Sequence, residues 1–231
     1  IVSFSQLNVI SHYYWAQNAT PHRINPPMQK QVLRQHIRAS LKALTKHEAE
    51  LSSSLIISRL QSLDAYQRAK AVSCYISVGT EVGTHPLIQS MLKDQKRVCV
   101  PRVYNMKESI MQMHWLPSWE AYSEFASSAY GIPEPNDSDS LISSEDASLL
   151  DLIIVPGLAF DKYCHRMGHG KGFYDRFLSS LPPIPHRMAI GLCHSIQVVD
   201  SVPCSQHDVR LDMVIHPNGI FTHQDPALHQ P

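Results

Sequence analysis

The feature that most constrains this chain is a glycine-rich segment at 166–176, which lies between an apolar run and a helical pattern. Gly168, Gly170 and Gly172 stand at alternate positions, so the backbone there is bare of side chains and a ligand can approach its amide N–H groups closely. Helix-compatible residues follow at once at 173–181, which predicts that the glycines open onto a helix N-terminus. At that end, unpaired N–H groups and the helix dipole favour an anion.

The cations of this segment strengthen the prediction of an anion site. Arg166, His169 and Lys171 all lie in it. Neither standard nucleotide motif is present: the P-loop spacing does not occur, and the dinucleotide pattern fails in both registers because its third glycine is missing. The residues alone therefore predict a phosphate-binding loop of another kind, with a tight connection that binds no ligand as the alternative.

Composition narrows the class of protein. A chain of 231 residues suffices for one well-buried core, so one domain is expected. Lys and Arg total 20, as do Asp and Glu, which argues against the basic field of a nucleic-acid or membrane binder. The five cysteines are odd in number and irregularly spaced, which fits a reducing compartment rather than a disulfide framework. No apolar run approaches the roughly 18 residues that a membrane span needs.

Three helices are predicted in the first half of the chain. Apolar residues spaced by four, four and three predict a helix that begins near Met28. Thr45 and Glu48 form a capping box for a second helix, and Thr84 is expected to cap a third, short helix. The apolar positions assigned to these helices are Leu33, Ile37, Leu41 and Leu44 in the first, Leu51, Leu55 and Leu63 in the second, and Leu87, Ile88, Met91 and Leu92 in the third.

Strands are predicted between and after these helices. The six segments are 71–78, 97–103, 111–116, Leu152–Val155, Met188–Leu192 and 213–215. Such alternation predicts an α/β fold: a single domain with a mainly parallel sheet flanked by helices, and the glycine-rich phosphate loop between a strand and a helix. Ligands of such sheets bind at the carboxyl ends of the strands.

The ends of the chain are expected to lie outside the domain, which we place at 28–221. Residues 1–27 contain no Asp or Glu and three prolines, and we interpret them as a disordered leader, with organelle targeting as the alternative. Segment 131–135 is expected to be a turn or extended connector, 136–148 a surface loop, and 222–231 a loose tail.

Several motifs together resemble a known family. Val-Pro-Gly-Leu-Ala-Phe-Asp at 155–161, followed by Arg-Met-Gly-His-Gly-Lys-Gly-Phe-Tyr-Asp-Arg at 166–176, closely resembles 5-formyltetrahydrofolate cyclo-ligase, also called methenyltetrahydrofolate synthetase. Lys-Gln-Val-Leu-Arg at 30–34, Tyr-Ile-Ser at 75–77 and Gly-Ile-Pro-Glu-Pro at 131–135 resemble its first helix, first strand and connector. The likeness extends over about 28–217.

This resemblance implies a reaction. The family cyclises 5-formyltetrahydrofolate to 5,10-methenyltetrahydrofolate at the expense of ATP, with release of ADP and phosphate. A formamide oxygen leaves poorly, so it is first phosphorylated, and the folate N10 then attacks the activated carbon. Such phosphoryl transfer depends on positioning and charge neutralisation, which implies cations, backbone amides and Mg²⁺. The alternatives are a non-catalytic folate-binding protein of the same fold, or a nucleotide-dependent phosphotransferase with another acceptor.

The resemblance also implies an ATP site. Lys30 and Arg34 would reach ATP from the first helix, where their spacing of four places them on one face. From the residues alone, a solvated basic pair is the alternative. The remaining implied ATP contacts are Arg166, Met167, Gly168, His169, Gly170, Lys171, Gly172, Phe173 and Tyr174, and the catalytic groups among them are Arg166, Lys171 and Tyr174.

Folate and metal sites are implied in the same way. Ile76 and Glu81 would line the pterin side, and Asp175 and Asp208 would hold Mg²⁺, with Asp212 as an alternative to Asp208. Trp115 could stack on the pterin or pack in the core. The residues that would face the reacting centre are His169, Gly170, Lys171, Gly172 and Phe173.

Two positions depart from the family pattern. His169 replaces a commoner Arg or Gly, which would make one phosphate contact pH-dependent, and Phe173 replaces a commoner Tyr. The three Cys–His neighbours, at 164–165, 193–194 and 204–207, match no standard zinc spacing. We expect a cytoplasmic monomer, with a mitochondrial location as the alternative, and a folate substrate with or without a polyglutamate tail.

Overall fold

The structure, a computed structural model, describes residues 26–123, 125–127, 133–135 and 141–223. Its helices are α1 (Pro26–Ala43), α2 (Lys46–Gln61), α3 (Asp64–Arg68), α4 (His85–Lys93), α5 (Trp119–Ser123), α6 (Ser144–Ala147) and α7 (Phe173–Ser180). Its strands are β1 (Ala71–Cys74), β2 (Arg97–Asn105), β3 (Ile110–Leu116), β4 (Ala126–Ser127), β5 (Pro133–Glu134), β6 (Leu152–Val155), β7 (Ala159–Asp161), β8 (Arg166–Met167), β9 (Met188–Leu192), β10 (Val198–Val199), β11 (Met213–His216) and β12 (Gly219–Thr222).

A seven-stranded sheet forms the centre of the molecule, in the order β12-β11-β9-β6-β1-β2-β3. The five inner strands are parallel, and each edge strand pairs antiparallel with its neighbour. Every residue of β1 and β6 is buried, as expected for parallel strands covered on both faces. The predicted single-domain α/β fold with a mainly parallel sheet is confirmed.

A smaller sheet, in the order β10-β7-β8, was not predicted from the sequence. A fully buried carboxylate, Asp161, holds its hairpin together: Oδ1 accepts the N–H groups of Tyr163 and His165 at 2.9 and 3.0 Å, and Oδ2 accepts the N–H of Val202 at 2.9 Å. Asp161, the last residue of the 155–161 motif, therefore fixes the backbone of the hairpin that leads into the glycine-rich segment.

Helix α1 packs on this smaller sheet through an apolar cluster of its own. Leu33, Ile37 and Leu41 are buried, as their spacing predicts, and Leu44 lies just beyond the helix end. The helix begins at Pro26, two residues before the predicted start, because proline is tolerated in a first helical turn. The buried residues that form the cluster with the three apolar residues of α1 are Leu158, Ala159, Met167 and Val202.

The predictions for α2 and for the segment after β1 need correction. The capping box of Thr45 and Glu48 is present, but Leu51 and Leu55 are 57% and 46% exposed, and the buried face carries Ile56 and Leu60 instead. The predicted strand 71–78 ends at Cys74.

The hydroxyl of Thr84 explains why that strand ends early. Contrary to the prediction, this hydroxyl does not cap α4. It donates to the Tyr75 carbonyl at 2.7 Å and accepts the Ser77 N–H at 3.0 Å. Residues 75–84 therefore form a hydrogen-bonded turn segment at the carboxyl end of β1, which we call the β1 turn.

Other differences concern short elements. α6 lies inside the predicted loop 136–148, begun by a capping box of Ser143 and Asp146, and β12 had no predicted counterpart. Pro133–Glu134 is extended, as expected for the connector, while 131–132, 136–140, most of the leader and most of the tail lie outside the described residues. Within the described part of the chain, no helix has the length and apolar character to cross a membrane.

Candidate active site

Helix α1 lies against the outer side of the glycine-rich loop. The Nε of Arg34 donates to the carbonyl of Gly168 at 3.0 Å. Gly170 has a φ of +109°, and a Cβ at this position would stand 3.4 Å from Cζ of Arg34. The absence of a side chain at Gly170 thus permits the backbone conformation, while the guanidinium lies at ordinary contact distance from the position of a Cβ.

The loop ends where α7 begins. Gly172 is the residue before the helix and has a φ of +68°, a left-handed conformation that residues other than glycine, asparagine and aspartate adopt only with strain. No side chain caps the first turn of α7, so its N–H groups remain available. The strand directly before the loop is β8 of the smaller sheet, and because Met167 of β8 packs with α1, the loop lies beside that helix.

Arg166 lies beneath the loop and forms an ion pair. Its side chain is 3% exposed, and its Nη2 donates to Oδ1 of Asp175 at 2.8 Å, while Asp175 is 17% exposed. The same oxygen accepts the N–H of Val209 at 3.2 Å. Two of the predicted site residues therefore neutralise each other under the loop, and Asp175 also fixes the chain next to Asp208.

Asp208 forms the second ion pair of the site, at 2.5 Å from Nζ of Lys30. Burial acts to raise the pKa of Asp208, but hydrogen bonds from Lys30 and Ser205 outweigh it, and the pKa is lowered. The carboxylate of Asp212 is used elsewhere, since it accepts the N–H of Ala189 at 2.6 Å and burial raises its pKa. Of the two candidates, the structure brings Asp208 to the site.

The carboxylates of Asp175 and Asp208 are the candidate ligands for the expected Mg²⁺. No group of three or more His, Cys, Asp or Glu side chains that could hold a metal occurs among the residues the structure describes, and none of the three Cys–His neighbours joins one. Mg²⁺ usually keeps several waters and takes one or two carboxylates plus phosphate oxygens. Asp175 and Asp208, linked through Val209, therefore fit Mg²⁺ that arrives with a phosphate ligand.

The β1 turn faces the glycine-rich loop. Oε2 of Glu81 accepts the N–H of Val78 at 3.0 Å, and its Oε1 lies 3.9 Å from Nε2 of His169. Burial raises the pKa of the Glu81 carboxyl to about 7. Ile76 is buried in the main core, so its side chain supports the turn from below rather than presenting an open surface.

The aromatic and apolar residues of the loop differ in their placement. Tyr174 is buried, burial raises its pKa well above the ordinary value, and its hydroxyl has no hydrogen-bond partner among the described residues. Phe173 is partly buried against the main core. Met167 packs under α1, so only its backbone faces the loop, and its carbonyl accepts the N–H of Leu158 at 2.7 Å.

Two exposed residues, Lys171 and His169, lie at the outer end of the loop. Lys171 makes no hydrogen bond or ion pair with any residue that the structure describes. Desolvation lowers the pKa of His169, and so do three neighbouring guanidinium groups. These groups belong to Arg38, Arg34 and Arg166.

Arg38 was missed in the sequence, although a signal was present. It stands four residues after Arg34, which itself stands four after Lys30, so one helix face carries a cation on three successive turns. Trp115, in contrast, does not belong to the site. Arg97, at the amino end of β2, stacks on its ring at 4.0 Å, away from the carboxyl ends where the β1 turn lies.

A comparison with known proteins decides the family. A model of the 5-formyltetrahydrofolate cyclo-ligase family matches residues 27–217. The chain belongs to this family. A probable 5-formyltetrahydrofolate cyclo-ligase of Caenorhabditis elegans is 33% identical over 190 residues, 81% of this chain and 92% of that relative. The mouse 5-formyltetrahydrofolate cyclo-ligase is 31% identical over 81% of this chain and 93% of its own length.

Solved structures agree with this membership of the cyclo-ligase family. The 5,10-methenyltetrahydrofolate synthetase of Aquifex aeolicus is 29% identical, the match covers 86% of this chain and 94% of that chain, and the two superpose with a TM-score of 0.72.

A further sequence relative, from Arabidopsis thaliana, is named as a mitochondrial 5-formyltetrahydrofolate cyclo-ligase and is 28% identical over 83% of this chain and 75% of its own length. The prediction of an ATP-dependent 5-formyltetrahydrofolate cyclo-ligase is confirmed at the level of the family.

Proposed function

We propose that the protein closes the ring of 5-formyltetrahydrofolate by transferring the γ-phosphoryl group of ATP to the formyl oxygen. The observation that carries this assignment is the meeting of the α1 cations, the glycine-rich loop and the Glu81 turn in a chain of the cyclo-ligase family. The formyl oxygen attacks phosphorus and ADP departs. N10 then attacks the formyl carbon, loses its proton, and the carbon–oxygen bond breaks with release of phosphate.

The charges of the site support an ATP-binding role for α1 and the loop. The pairs Arg166–Asp175 and Lys30–Asp208 are each neutral. The charges of Arg34 and Lys171 are not offset by any carboxylate hydrogen bond within the described ranges, so the phosphates meet a net positive surface. Backbone N–H groups from Gly168 to Tyr174 add donors whose positions need no reorganisation during transfer.

The metal site follows from the same groups. Asp175 and Asp208 would hold Mg²⁺, which would supply neutralising charge to the transferring phosphoryl group. Arg166 then keeps Asp175 oriented from below, and Lys30 is positioned to exchange its bond with Asp208 for a phosphate oxygen. Tyr174 brings a buried hydroxyl to the base of the loop as a further donor.

The folate assignment rests on the β1 turn. A carboxylate at the carboxyl end of β1 can accept N–H groups of the pterin, and Glu81 is that carboxylate. Segment 169–173, opposite this turn, would face the formyl group. The raised pKa of Glu81 means that this acceptor becomes fully ionised only above neutral pH.

The test is incubation with ATP, Mg²⁺ and 5-formyltetrahydrofolate, followed by the near-ultraviolet absorbance of the methenyl product. We expect product from the full chain and from a chain that begins at Met28. Folate binding without product would favour a binding protein, and ADP formation without folate would favour another phosphotransferase.

A matched pair of lysine variants tests whether the glycine-rich loop takes part in the reaction. Lys171→Met removes a cation at the tip of the loop, and we expect kcat/KM for ATP to fall about 100-fold, as for removal of one charged transition-state contact. Lys93→Met removes an exposed cation at the end of α4 and should leave kcat/KM unchanged.

The remaining assignments belong to the same proposal. The domain spans 28–221, the protein acts as a monomer without nucleic acid, and polyglutamate tails are accepted. Its location is the cytoplasm, with the mitochondrion as the alternative. A fluorescent fusion of residues 1–27 distinguishes the two locations, and light scattering measures the oligomeric state.

A further inference from the structure

Hydrogen bonds within the β1 turn fix its base. The Tyr75 hydroxyl donates to the Val82 carbonyl at 2.9 Å, and Thr84 bonds both to Tyr75 and to Ser77. The tip of the turn closes on itself, since the Glu81 N–H donates to the Val78 carbonyl at 3.2 Å and Oε2 of Glu81 accepts the Val78 N–H at 3.0 Å. None of these bonds joins the tip to the glycine-rich loop. Its position relative to the glycine-rich loop must therefore be set from outside the turn.

Two adjacent serines of α2 reach toward this tip. The Oγ of Ser53 accepts the N–H of Gly83 at 3.0 Å, which ties α2 directly to the turn. The Oγ of Ser52 lies 2.7 Å from Nδ1 of His194, the second residue after β9. The backbone N–H of His194 donates to Oε1 of Gln197 at 2.8 Å, so this histidine is held at both its backbone and its ring.

The His194 ring lies beside the β1 turn, because the adjacent residues Ser52 and Ser53 of α2 contact the ring and the turn respectively. The residue is 1% exposed, and its Nε2 is buried with no hydrogen bond of ordinary geometry to any described residue. Desolvation lowers the pKa of His194, while the backbone of Glu81 and Thr80 acts in the opposite sense, so these backbone groups are the polar neighbours of the ring. A neutral ring that accepts the Ser52 hydroxyl at Nδ1 carries its proton on Nε2 and presents an N–H to them.

We propose that His194 is a positioning residue for folate, which Ser52 orients so that its Nε2–H holds the backbone of Thr80–Glu81. This role rests on the proposed function, because it acts through the contact of Glu81 with the pterin. A buried donor without an acceptor is costly. A turn that closes on bound folate and accepts this N–H gains that hydrogen bond, so His194 contributes to folate binding without touching folate.

Two substitutions of His194 test the roles of its two ring nitrogens separately. His194→Asn places an amide near the position of Nδ1, which keeps a partner for Ser52 and removes the group that faces the turn. His194→Gln reaches the position of Nε2 and keeps that group. We expect His194→Asn to raise the KM for 5-formyltetrahydrofolate about 10-fold, as for loss of one hydrogen bond. The KM for ATP should stay unchanged, and His194→Gln should restore the folate KM to within about 2-fold of the original.

Hydrogen–deuterium exchange of 78–84 provides a readout that needs no catalysis. With 5-formyltetrahydrofolate bound, His194→Asn should accelerate exchange there, and His194→Gln should not. Equal effects of the two variants on exchange, or equal shifts of both KM values, would overturn the proposal and leave His194 with a packing role. If the unaltered protein forms no methenyl product, the proposed function fails, while the exchange comparison still decides whether His194 holds the turn.

Discussion

The buried pair of Arg166 and Asp175 allows a quantitative test, through the variant Asp175→Asn. Asparagine keeps an oxygen for Arg166 and for the Val209 N–H but removes the charge. Removal of one partner of a buried ion pair costs about 3–5 kcal/mol. Because the hydrogen bonds persist and Asp175 is partly open, we expect a smaller loss of unfolding free energy, about 1.5–3 kcal/mol. For a domain of this size, the loss lowers Tm by roughly 3–12 °C.

Activity should fall much further than stability. Loss of the Asp175 charge removes a proposed Mg²⁺ ligand, and we expect kcat to fall by about 100-fold or more while circular dichroism shows a folded protein. In the double variant Arg166→Gln with Asp175→Asn, neither charge of this pair remains. The double variant should therefore be at least as stable as Asp175→Asn.

Thermal unfolding and the methenyl absorbance assay check both expectations. A change in unfolding free energy below about 0.5 kcal/mol, the level of ordinary surface substitutions, would show that the pair does not stabilise the loop. A double variant that loses the sum of the two single effects would refute the coupling itself. Full activity of Asp175→Asn would refute its role at the metal.

Other predictions concern titration, backbone strain and the hairpin. Because burial raises the pKa of Glu81 to about 7, the KM for folate should fall as pH rises from about 6 to about 8, and Glu81→Gln should abolish this dependence. The same raised pKa means that ionisation of Glu81 opposes folding. The unfolding free energy should therefore decline as pH rises from about 4.3, the pKa of Glu81 in the unfolded chain, toward 7, and a series of Tm measurements against pH would show this decline. Gly170→Ala should raise the KM for ATP and lower Tm, since a φ of +109° strains any residue with a Cβ, whereas Gly172→Asn should keep activity because asparagine tolerates the left-handed region. Asp161→Asn should cost about 2–4 kcal/mol of unfolding free energy in denaturant titration, because the buried carboxylate accepts several N–H groups.

The central sheet could be predicted closely from the sequence, and the reason is burial. β6 and β9 have the predicted bounds because strands covered on both faces are continuous apolar runs. The smaller sheet has strands of two or three residues, too short to show a period. For α2, leucines at helical spacing indicated the wrong face, since Leu51 and Leu55 point to solvent.

The candidate site was predictable in its local parts only. The spacing of Lys30 and Arg34 and the pattern of the glycine-rich loop can be seen in the sequence. The ion pair of Lys30 with Asp208 joins residues 178 positions apart, and no pattern in a single sequence carries such a contact. The same holds for His194, which reaches the β1 turn only through the tertiary fold.

The separate apolar cluster under α1 has a consequence for motion. This helix is anchored by the cluster around Met167 and Leu158 rather than by the main core, so it forms a unit that can open without unfolding of the central sheet. Lys30 and Arg34 would leave the loop with it. A ligand that bridges these cations and the loop therefore binds only the docked state, so the binding of such a ligand and the docking of the helix are linked equilibria. The proposed ATP ligand would stabilise the docked helix, so saturating ATP should slow amide exchange along α1 more than in β6.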